Sequence, residues 1–251
     1  MEQDIVNAGT ENFNLPHDVV QLPSGGIFYK SKKKSIKVGY LTATDENSLM
    51  SGQGTNDNII MSLLRNKMYE HDLRPEELID GDVEAILLFL RNTSFGPEYT
   101  VSLTDPQTKK TFSHTVILDE LDIRKTEIKP DENGLFTTVL PKSGVSVKLR
   151  PLTYADTLEI SSIVDTYPVG RTAPIVTLRL MKHIVEVNGD SDKSNIAIFV
   201  STLPIMDSKY IRKFIRDNQP SLELTRAAIA PSGEKISFEI SFGVEFFRPF
   251  F

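Results

Sequence analysis

Apolar and polar residues follow two regular patterns along this chain. In Ser35–Tyr40 they alternate, which is typical of a strand with one buried face. Elsewhere the apolar residues recur every three or four positions on one face of a helix, as at Ile59, Ile60, Leu63, Leu64 and Met68. Both patterns occur in each half of the chain, so the sequence predicts an α+β fold.

The first half predicts a definite order of elements. The cluster Pro23–Gly26 interrupts two apolar segments and indicates a turn between strands. Thr42 can cap a helix, and Asp45 and Glu46 suit its positive N-terminal end. The predicted elements are strands at 19–22, 27–29 and 35–40, helices at about 42–52, 55–68 and 80–93, and a hairpin of 99–103 with 111–118.

The second half repeats this order. Ser35–Asp45 aligns without a gap to Ser146–Asp156 at an offset of 111, with five identical positions. The turn sequence LPSGG at 22–26 is similarly echoed by LPKSG at 140–144. Helices are predicted at about 154–165, 173–187, 194–202 and 207–217, the last capped by Asp207, and then a hairpin of 222–229 with 235–242. The alternative is that two strand-to-helix junctions resemble each other by chance.

We therefore predict two tandem related units. Each consists of an opening strand or hairpin, several helices and a closing antiparallel hairpin. The predicted boundaries are a flexible arm at 1–16, a first unit at 17–122, a connecting segment at 123–139 and a second unit at 140–251.

Composition narrows the classes of function. Of the 251 residues, 39% are apolar and 25% are charged, which is typical of a folded globular chain. The net charge of -6 disfavours a nucleic-acid partner. The absence of cysteine excludes disulfides and thiolate catalysis. Neither a signal peptide nor a membrane-spanning segment is predicted, so we expect a protein that has no membrane partner and works in the cytoplasm.

No pattern of reactive residues predicts an active site. The histidines at 17, 71, 114 and 183 lack the spacing of a metal site, and no G-x-S-x-G motif is present. The glycines of Ser51–Asn56 follow a predicted helix and are not followed by the lysine of a phosphate-binding loop. We expect no catalytic, cofactor-binding or metal-ligating residues and no small-molecule substrate.

Two surface features remain. Lys30–Lys34 is the densest basic segment, and we interpret it as a solvated loop. Six of the 14 phenylalanines lie in the last 14 residues, which is unusual enough to suggest an apolar contact surface. The candidate partner-binding residues are Phe246, Phe247, Phe250 and Phe251. The alternative is that these side chains are buried in their own domain.

Several ordered motifs resemble a known family. LPSGGIFY, IKVGYLTATDE and LLFLRNTSFGPEY, with the hairpin after them, are similar to the baseplate hub assembly family of T-even-type contractile-tailed phages. The resemblance covers roughly residues 19–121. In the second half, KLRPLT and SGEKISFEISFGVEFFRPF are also similar to the C-terminal pattern of such proteins.

The resemblance implies a late, non-enzymatic assembly protein with a chaperone-like role in the host cytoplasm. It would promote or form part of the central hub of the baseplate by contacts with hub or tape-measure proteins. A permanent structural subunit of the virion is one alternative, and an enzyme of unrecognised type is another. Family members often carry cysteine pairs in the hairpin turns, whereas these turns read DPQTKK and APSGEK here. The cysteine pairs suggest a small metal knuckle in those relatives, and their absence here argues against a metal site in this chain.

Overall fold

The computed structural model describes residues 16–50, 55–124, 126–168 and 170–247. In the first half, the strands and helices are β1 (His17–Gln21), β2 (Ser35–Gly39), α1 (Ala43–Met50), α2 (Asn56–Lys67), α3 (Asp80–Phe95), β3 (Glu98–Thr104) and β4 (Thr111–Ile117). In the second half, they are β5 (Phe136–Val139), β6 (Ser146–Leu149), α4 (Tyr154–Asp165), α5 (Ile175–His183), β7 (Ile184–Val187), α6 (Lys193–Thr202), α7 (Ile205–Asn218), β8 (Thr225–Ile229) and β9 (Lys235–Glu239). Short 3-10 helices lie at Pro75–Glu77, Leu118–Glu120 and Val244–Phe247. The predicted α+β class is confirmed.

Two predicted segments fall largely outside the described residues. The arm at 1–16 does so except for its last residue, and the glycine loop does so over 51–54. Both stay predictions.

Equivalent strands have equivalent neighbours in the two halves. β2 pairs with β1 in antiparallel register, and Val38 forms a bridge to Met68 on its other side. β6 likewise pairs with β5, and Leu149 lies opposite Ile184 of β7. Val38 and Leu149 are the residues that the 111-residue offset aligns, so the sequence repeat is also a repeat of strand pairing. We call residues 17–118 and 136–240 the first and second repeat.

Two predicted elements were wrong. Ile27–Tyr29 is not a strand, because Gly25 and Gly26 have positive φ and the segment folds into consecutive turns. The helix predicted at 173–187 ends at His183, since the next four residues form β7 against β6. Pairing with a neighbouring strand outweighs the helical spacing there.

The first helix of each repeat starts in the same way. Thr42 donates its N–H and Oγ hydrogen bonds to Asp45, at 2.7 and 2.6 Å. Thr153 makes the same two bonds to Asp156, at 3.0 and 3.1 Å. Each carboxylate is buried and has a cationic partner, which is Lys67 for Asp45 and Arg150 for Asp156 at 2.7 Å. Thr153 also accepts a hydrogen bond from the Asp156 N–H at 3.3 Å and so caps α4, whereas the cap predicted at Thr42 stays a prediction.

The last helix of each repeat carries a buried aspartate at its third residue. Asp82 accepts hydrogen bonds from Ser24, through N–H at 2.9 Å and Oγ at 2.5 Å, and from the Tyr29 hydroxyl. Asp207 accepts from the N–H groups of Lys142 and Ser143, at 2.8 and 3.0 Å. Asp207 is therefore not the cap of α7, which begins at Ile205. Its carboxylate instead fastens the turn between β5 and β6 to the helix.

The apolar side chains form two clusters that do not follow the predicted halves. The second cluster contains eleven buried residues between Phe136 and Ile215. The first contains those of the first repeat, together with Tyr154 and five side chains from the closing hairpin and the 3-10 helix after it, namely Leu222, Leu224, Ile240, Phe246 and Phe247. The second hairpin thus completes the core of the first repeat. The predicted division into two units with a connecting segment at 123–139 stays a prediction.

The two closing hairpins meet at their turns. Asp105, in the first turn, is buried and accepts hydrogen bonds from the N–H and Oγ of Ser232 in the second turn, at 3.1 and 2.9 Å. Burial acts to raise the pKa of Asp105, but the N–H groups of Gln107, Thr108 and Ser232 and the Ser232 hydroxyl favour the carboxylate, and the pKa is lowered. The turns are joined by polar contacts without cysteine.

Gly81 allows the repeats to approach closely, and this generates a prediction. A Cβ added at Gly81 would lie 2.1 Å from the Pro220 carbonyl oxygen. Alanine normally stabilises a helix relative to glycine, but here we expect Gly81→Ala to lower the free energy of unfolding by about 2 to 4 kcal/mol, because backbone must move. Urea denaturation measures the change.

Gly243→Ala is the matched control. A Cβ there meets only Asn56 Nδ2, at 3.6 Å, and the backbone has no positive φ. Its free energy of unfolding should stay within about 0.5 kcal/mol of wild type. A stable Gly81→Ala variant would contradict the close packing of α3 on the second repeat.

Candidate functional site

The predicted partner-binding residues lie partly inside the core. Phe246 and Phe247 are only 1% and 3% exposed, so burial, the alternative left open by the sequence, applies to these two side chains. Phe246 packs edge-on against Tyr99, Phe242 and Phe247, with ring centroids 4.7 to 5.5 Å apart. Phe250 and Phe251 lie outside the described residues, and their contact with a partner stays a prediction.

A buried arginine fixes this C-terminal segment. The Arg91 side chain, on α3, is 1% exposed and donates to the backbone carbonyls of Phe246, Gly96 and Glu98 at 3.1, 2.9 and 3.2 Å. Its guanidinium also lies 5.1 Å from the centroid of the Phe95 ring. Burial lowers the pKa of Arg91. Three carbonyls and aromatic faces thus replace water around this cation, so Arg91 serves the packing of residues 244–247.

The histidines do not converge. His183 is buried, its Nδ1 lies 2.9 Å from the Arg150 carbonyl oxygen, and burial lowers its pKa to about 4. The rings of His17 and His114 pack edge-on against Tyr69 and Phe238. Within the described ranges, no three His, Asp or Glu side chains are grouped as metal ligands. These contacts give His17, His114 and His183 packing roles.

The basic loop is partly used for internal contacts. Lys33 forms ion pairs with Glu70 and with Asp72, the latter at 2.5 Å. Lys32 donates to the backbone carbonyls of Ile27 and Glu132, at 2.9 and 2.7 Å. The loop therefore joins the turn after β1 to residues around 70 and 132.

The feature that sequence reasoning missed is a charged cleft between the repeats. It has a volume of about 420 Å³ and lies between α3, the segment at Arg124, α5, α7 and β9. Its charged lining consists of Asp80, Glu84, Glu239, Arg124, Arg179, Arg212 and Arg216. The sequence shows Asp80 and Glu84 one helical turn apart, but the packing of the second repeat is what makes them half-buried.

Burial dominates the acid–base behaviour of the cleft. It raises the pKa of Asp80 to about 6, despite the opposing effect of Arg179. It raises the pKa of Glu84 to about 7, although Glu84 accepts a hydrogen bond from the Leu222 N–H at 3.3 Å. A carboxyl group that keeps its proton near neutrality can donate a hydrogen bond or act as a general acid. Several ionisable side chains thus lie together in this cleft. Glu84 also contacts the backbone that leads into the second hairpin.

No helix in the described part of the chain is both long and apolar enough to cross a membrane. The exposed large apolar residues include a group around the α6–α7 junction, namely Ile198, Ile205 and Met206, which are 60 to 75% exposed. Exposed apolar side chains close together are typical of contact surfaces between proteins. The described residues thus form an α+β protein with exposed apolar side chains near the α6–α7 junction.

Comparison with known proteins identifies the family. The family described as T4 bacteriophage base plate protein matches residues 21–248, which is most of the chain. This chain belongs to that family, and the predicted resemblance to T-even-type baseplate proteins is confirmed at that level. No curated protein and no solved structure matches the chain.

Phe246 gives a prediction that separates a core residue from a surface contact. Phe246→Ala removes a ring that is surrounded by other aromatic side chains, so it should lower the free energy of unfolding by about 3 to 5 kcal/mol. Urea denaturation of the purified variant measures this, with Phe246→Leu as the milder control. A fully stable Phe246→Ala would show that the ring is not part of the core.

Glu84 gives a prediction about pH. Its pKa is raised on folding from 4.5 to about 7, so the folded state holds a proton that the unfolded state loses. The contribution of this bound proton to the free energy of unfolding is fully present below about pH 4.5 and is lost as the pH rises to about 7. A glutamine side chain at this position cannot ionise. Between about pH 5 and pH 8, wild type should therefore lose about 1 to 3 kcal/mol more stability than Glu84→Gln.

Urea denaturation at several pH values measures this difference. Glu46→Gln, which removes an exposed carboxylate of α1 outside the cleft, is the control and should keep the wild-type profile. Parallel profiles for wild type and Glu84→Gln would contradict a buried, protonated Glu84.

Proposed function

We propose that this chain is a non-enzymatic protein that promotes assembly of the central hub of the phage baseplate, or forms part of it, in the host cytoplasm. Its partners are other baseplate hub or tape-measure proteins. The family match over residues 21–248 is the observation that carries the proposal. Membership of a baseplate family supports a structural or assembly role, and the hub is our more specific assignment.

The distribution of polar groups supports binding over catalysis. The buried carboxylates Asp45, Asp82, Asp156 and Asp207 all accept hydrogen bonds that start helices or fasten turns. Buried charges persist in proteins when such partners compensate their desolvation. These four groups therefore already have structural roles in the folded chain.

Contacts in the charged cleft also have a structural role. Glu84 accepts from the Leu222 N–H, and nearby the Arg124 N–H donates to the Ser221 carbonyl at 2.8 Å. The cleft thus lies where the connecting segment and the second hairpin meet α3. An enzyme of unrecognised type is the competing function, since Asp80 and Glu84 have raised pKa values. Perturbed carboxyls occur both in active sites and in structural networks.

Complementation distinguishes these functions. In a phage that lacks this gene, plasmid-encoded wild type and Glu84→Gln should both restore tail assembly, because glutamine can still accept the Leu222 hydrogen bond. A general acid at this position would lose about two to four orders of magnitude in rate on this change. Failure of a folded Glu84→Gln to complement would favour the enzyme.

Partner identity requires a direct measurement. The tagged chain, purified from infected cells, should carry baseplate hub or tape-measure proteins, as identified by mass spectrometry. A chain that carries none of them defeats the proposal. Mass spectrometry of purified virions then separates a transient assembly factor from a permanent baseplate subunit, because only the subunit remains in the particle.

A further inference from the structure

The contact between the two repeats has a defined centre at the start of α3. The Leu78 carbonyl accepts a hydrogen bond from the Tyr154 N–H at 2.7 Å, and Ile79 forms an antiparallel bridge with Thr153. Leu78 and Ile79 are 0% and 2% exposed. The start of the second repeat's first helix thus covers the start of the first repeat's last helix.

The internal repeat shows which residues hold the same place in the second repeat. Asp82 and Asp207 are each the third residue of their helix and each fasten the turn of their own repeat. In this register, Leu78–Gly81 corresponds to Leu203–Met206. Within the described ranges, no helix start covers this segment as α4 covers Leu78 and Ile79, and Ile205 and Met206 are 75% and 60% exposed. We call Leu203–Met206 the open acceptor.

The neighbouring helix shows the same difference. Met68 and Ile184 are the equivalent bridge partners of β2 and β6, so Ile60 of α2 corresponds to Val176 of α5. Ile60 is 3% exposed and lies against a pocket lined by Tyr154, Leu224 and Ile240 of the second repeat. Val176 is 44% exposed. In the first repeat, Ile60 and the start of α3 are covered by the second repeat. Their counterparts in the second repeat, Val176 and the start of α7, are apolar and exposed.

The chain also contains a second copy of the covering element. Thr153 and Tyr154 align with Thr42 and Ala43 at the 111-residue offset, and both threonines start a helix with the same bonds to an aspartate. Thr42 and Ala43 are exposed. We call Leu41–Ala43 the open donor. In the described part of the chain, the open acceptor and the open donor are thus the unused counterparts of the two sides of the contact that joins the repeats.

We propose that copies of this chain associate head to tail, with the open donor of one copy seated on the open acceptor of the next. Pro204 is compatible with this contact, because the N–H of its counterpart Ile79 donates to the Tyr29 hydroxyl and takes no part in the bridge. The two contacting surfaces differ, so the interface is heterologous and produces a closed ring or an open array.

Side-chain sizes show where this contact departs from the one within the chain. Gly81 is approached by the Pro220 carbonyl, whereas its counterpart Met206 is large and cannot be approached in that way. On the donor side, the large Tyr154 is replaced by the small Ala43. In the proposed contact between copies, the backbone bridge is kept between Pro204 and Thr42. The larger Met206 side chain is then accommodated by the smaller Ala43.

Two matched variants test this proposal with the purified chain. Ala43→Glu and Ile205→Glu each place a charge at the first residue of a helix, where a glutamate suits the helix dipole and folding should be preserved. In sedimentation velocity at up to about 100 μM, wild type should form species larger than a monomer and each variant should lose the array or ring. Circular dichroism verifies that the variants fold, and Met206→Glu replaces Ile205→Glu if the latter does not.

Mixing the variants is the decisive step. The Ala43→Glu chain keeps an intact acceptor and the Ile205→Glu chain keeps an intact donor, so their mixture should form a dimer and stop there. Ile229→Glu, at a residue that is 74% exposed on β8, is the control and should associate like wild type.

A monomeric wild type, a mixture that stays monomeric, or loss of association in Ile229→Glu would overturn the proposal. The experiment uses only this chain, so it does not depend on the proposed role in hub assembly. A chain that binds hub proteins but stays monomeric defeats the head-to-tail contact alone.

Discussion

The first repeat completes its core with residues that come from the far end of the chain. The closing hairpin of the second repeat supplies Leu222, Leu224 and Ile240 to the cluster built by β1, β2, α2 and α3. Those side chains reach the cluster because Gly81 lets the Pro220 backbone approach α3 and because the Leu78 carbonyl binds the start of α4. Removal of water from this shared apolar surface is the main stabilising contribution of the contact between the two repeats. The other structural features described above depend on that contact.

Buried carboxylates fix the positions of turns and helix starts in both repeats. Asp82 and Asp207 hold the turns of the two repeats, and Asp45 and Asp156 start the first helices. A charge of this kind stabilises one arrangement of its partners, because any other arrangement leaves it buried and unpaired. The same logic explains Arg91, which links the Phe246 carbonyl to those of Gly96 and Glu98 beyond the end of α3. A protein built in this way presents surfaces of fixed shape, as a role in an assembled baseplate requires.

Sequence patterns predicted the local elements well and the long-range contacts poorly. The strand at Ser35–Gly39, the helix at Asn56–Lys67 and the closing hairpins follow from spacing and turn chemistry, which are local. Ile27–Tyr29 was misassigned because the two glycines before it start consecutive turns, and Ile184–Val187 was misassigned because it forms a strand only by pairing with β6, far along the chain. The cleft at Asp80 and Glu84 was missed because it forms only where the second repeat packs on α3, and the sequence left the burial of Phe246 open as an alternative. No local pattern shows that a hairpin at 225–239 packs on helices that end by residue 95.

The most direct test of the shared core is hydrogen exchange in increasing urea, read by mass spectrometry in two places. The amides of 60–64, in α2, report the first cluster, and those of 180–184, from α5 into β7, report the second. If the second hairpin joins the repeats into one cooperative body, both sets lose protection at the same urea concentration. Loss of protection at 180–184 while 60–64 stays fully protected, or the reverse, would contradict this account.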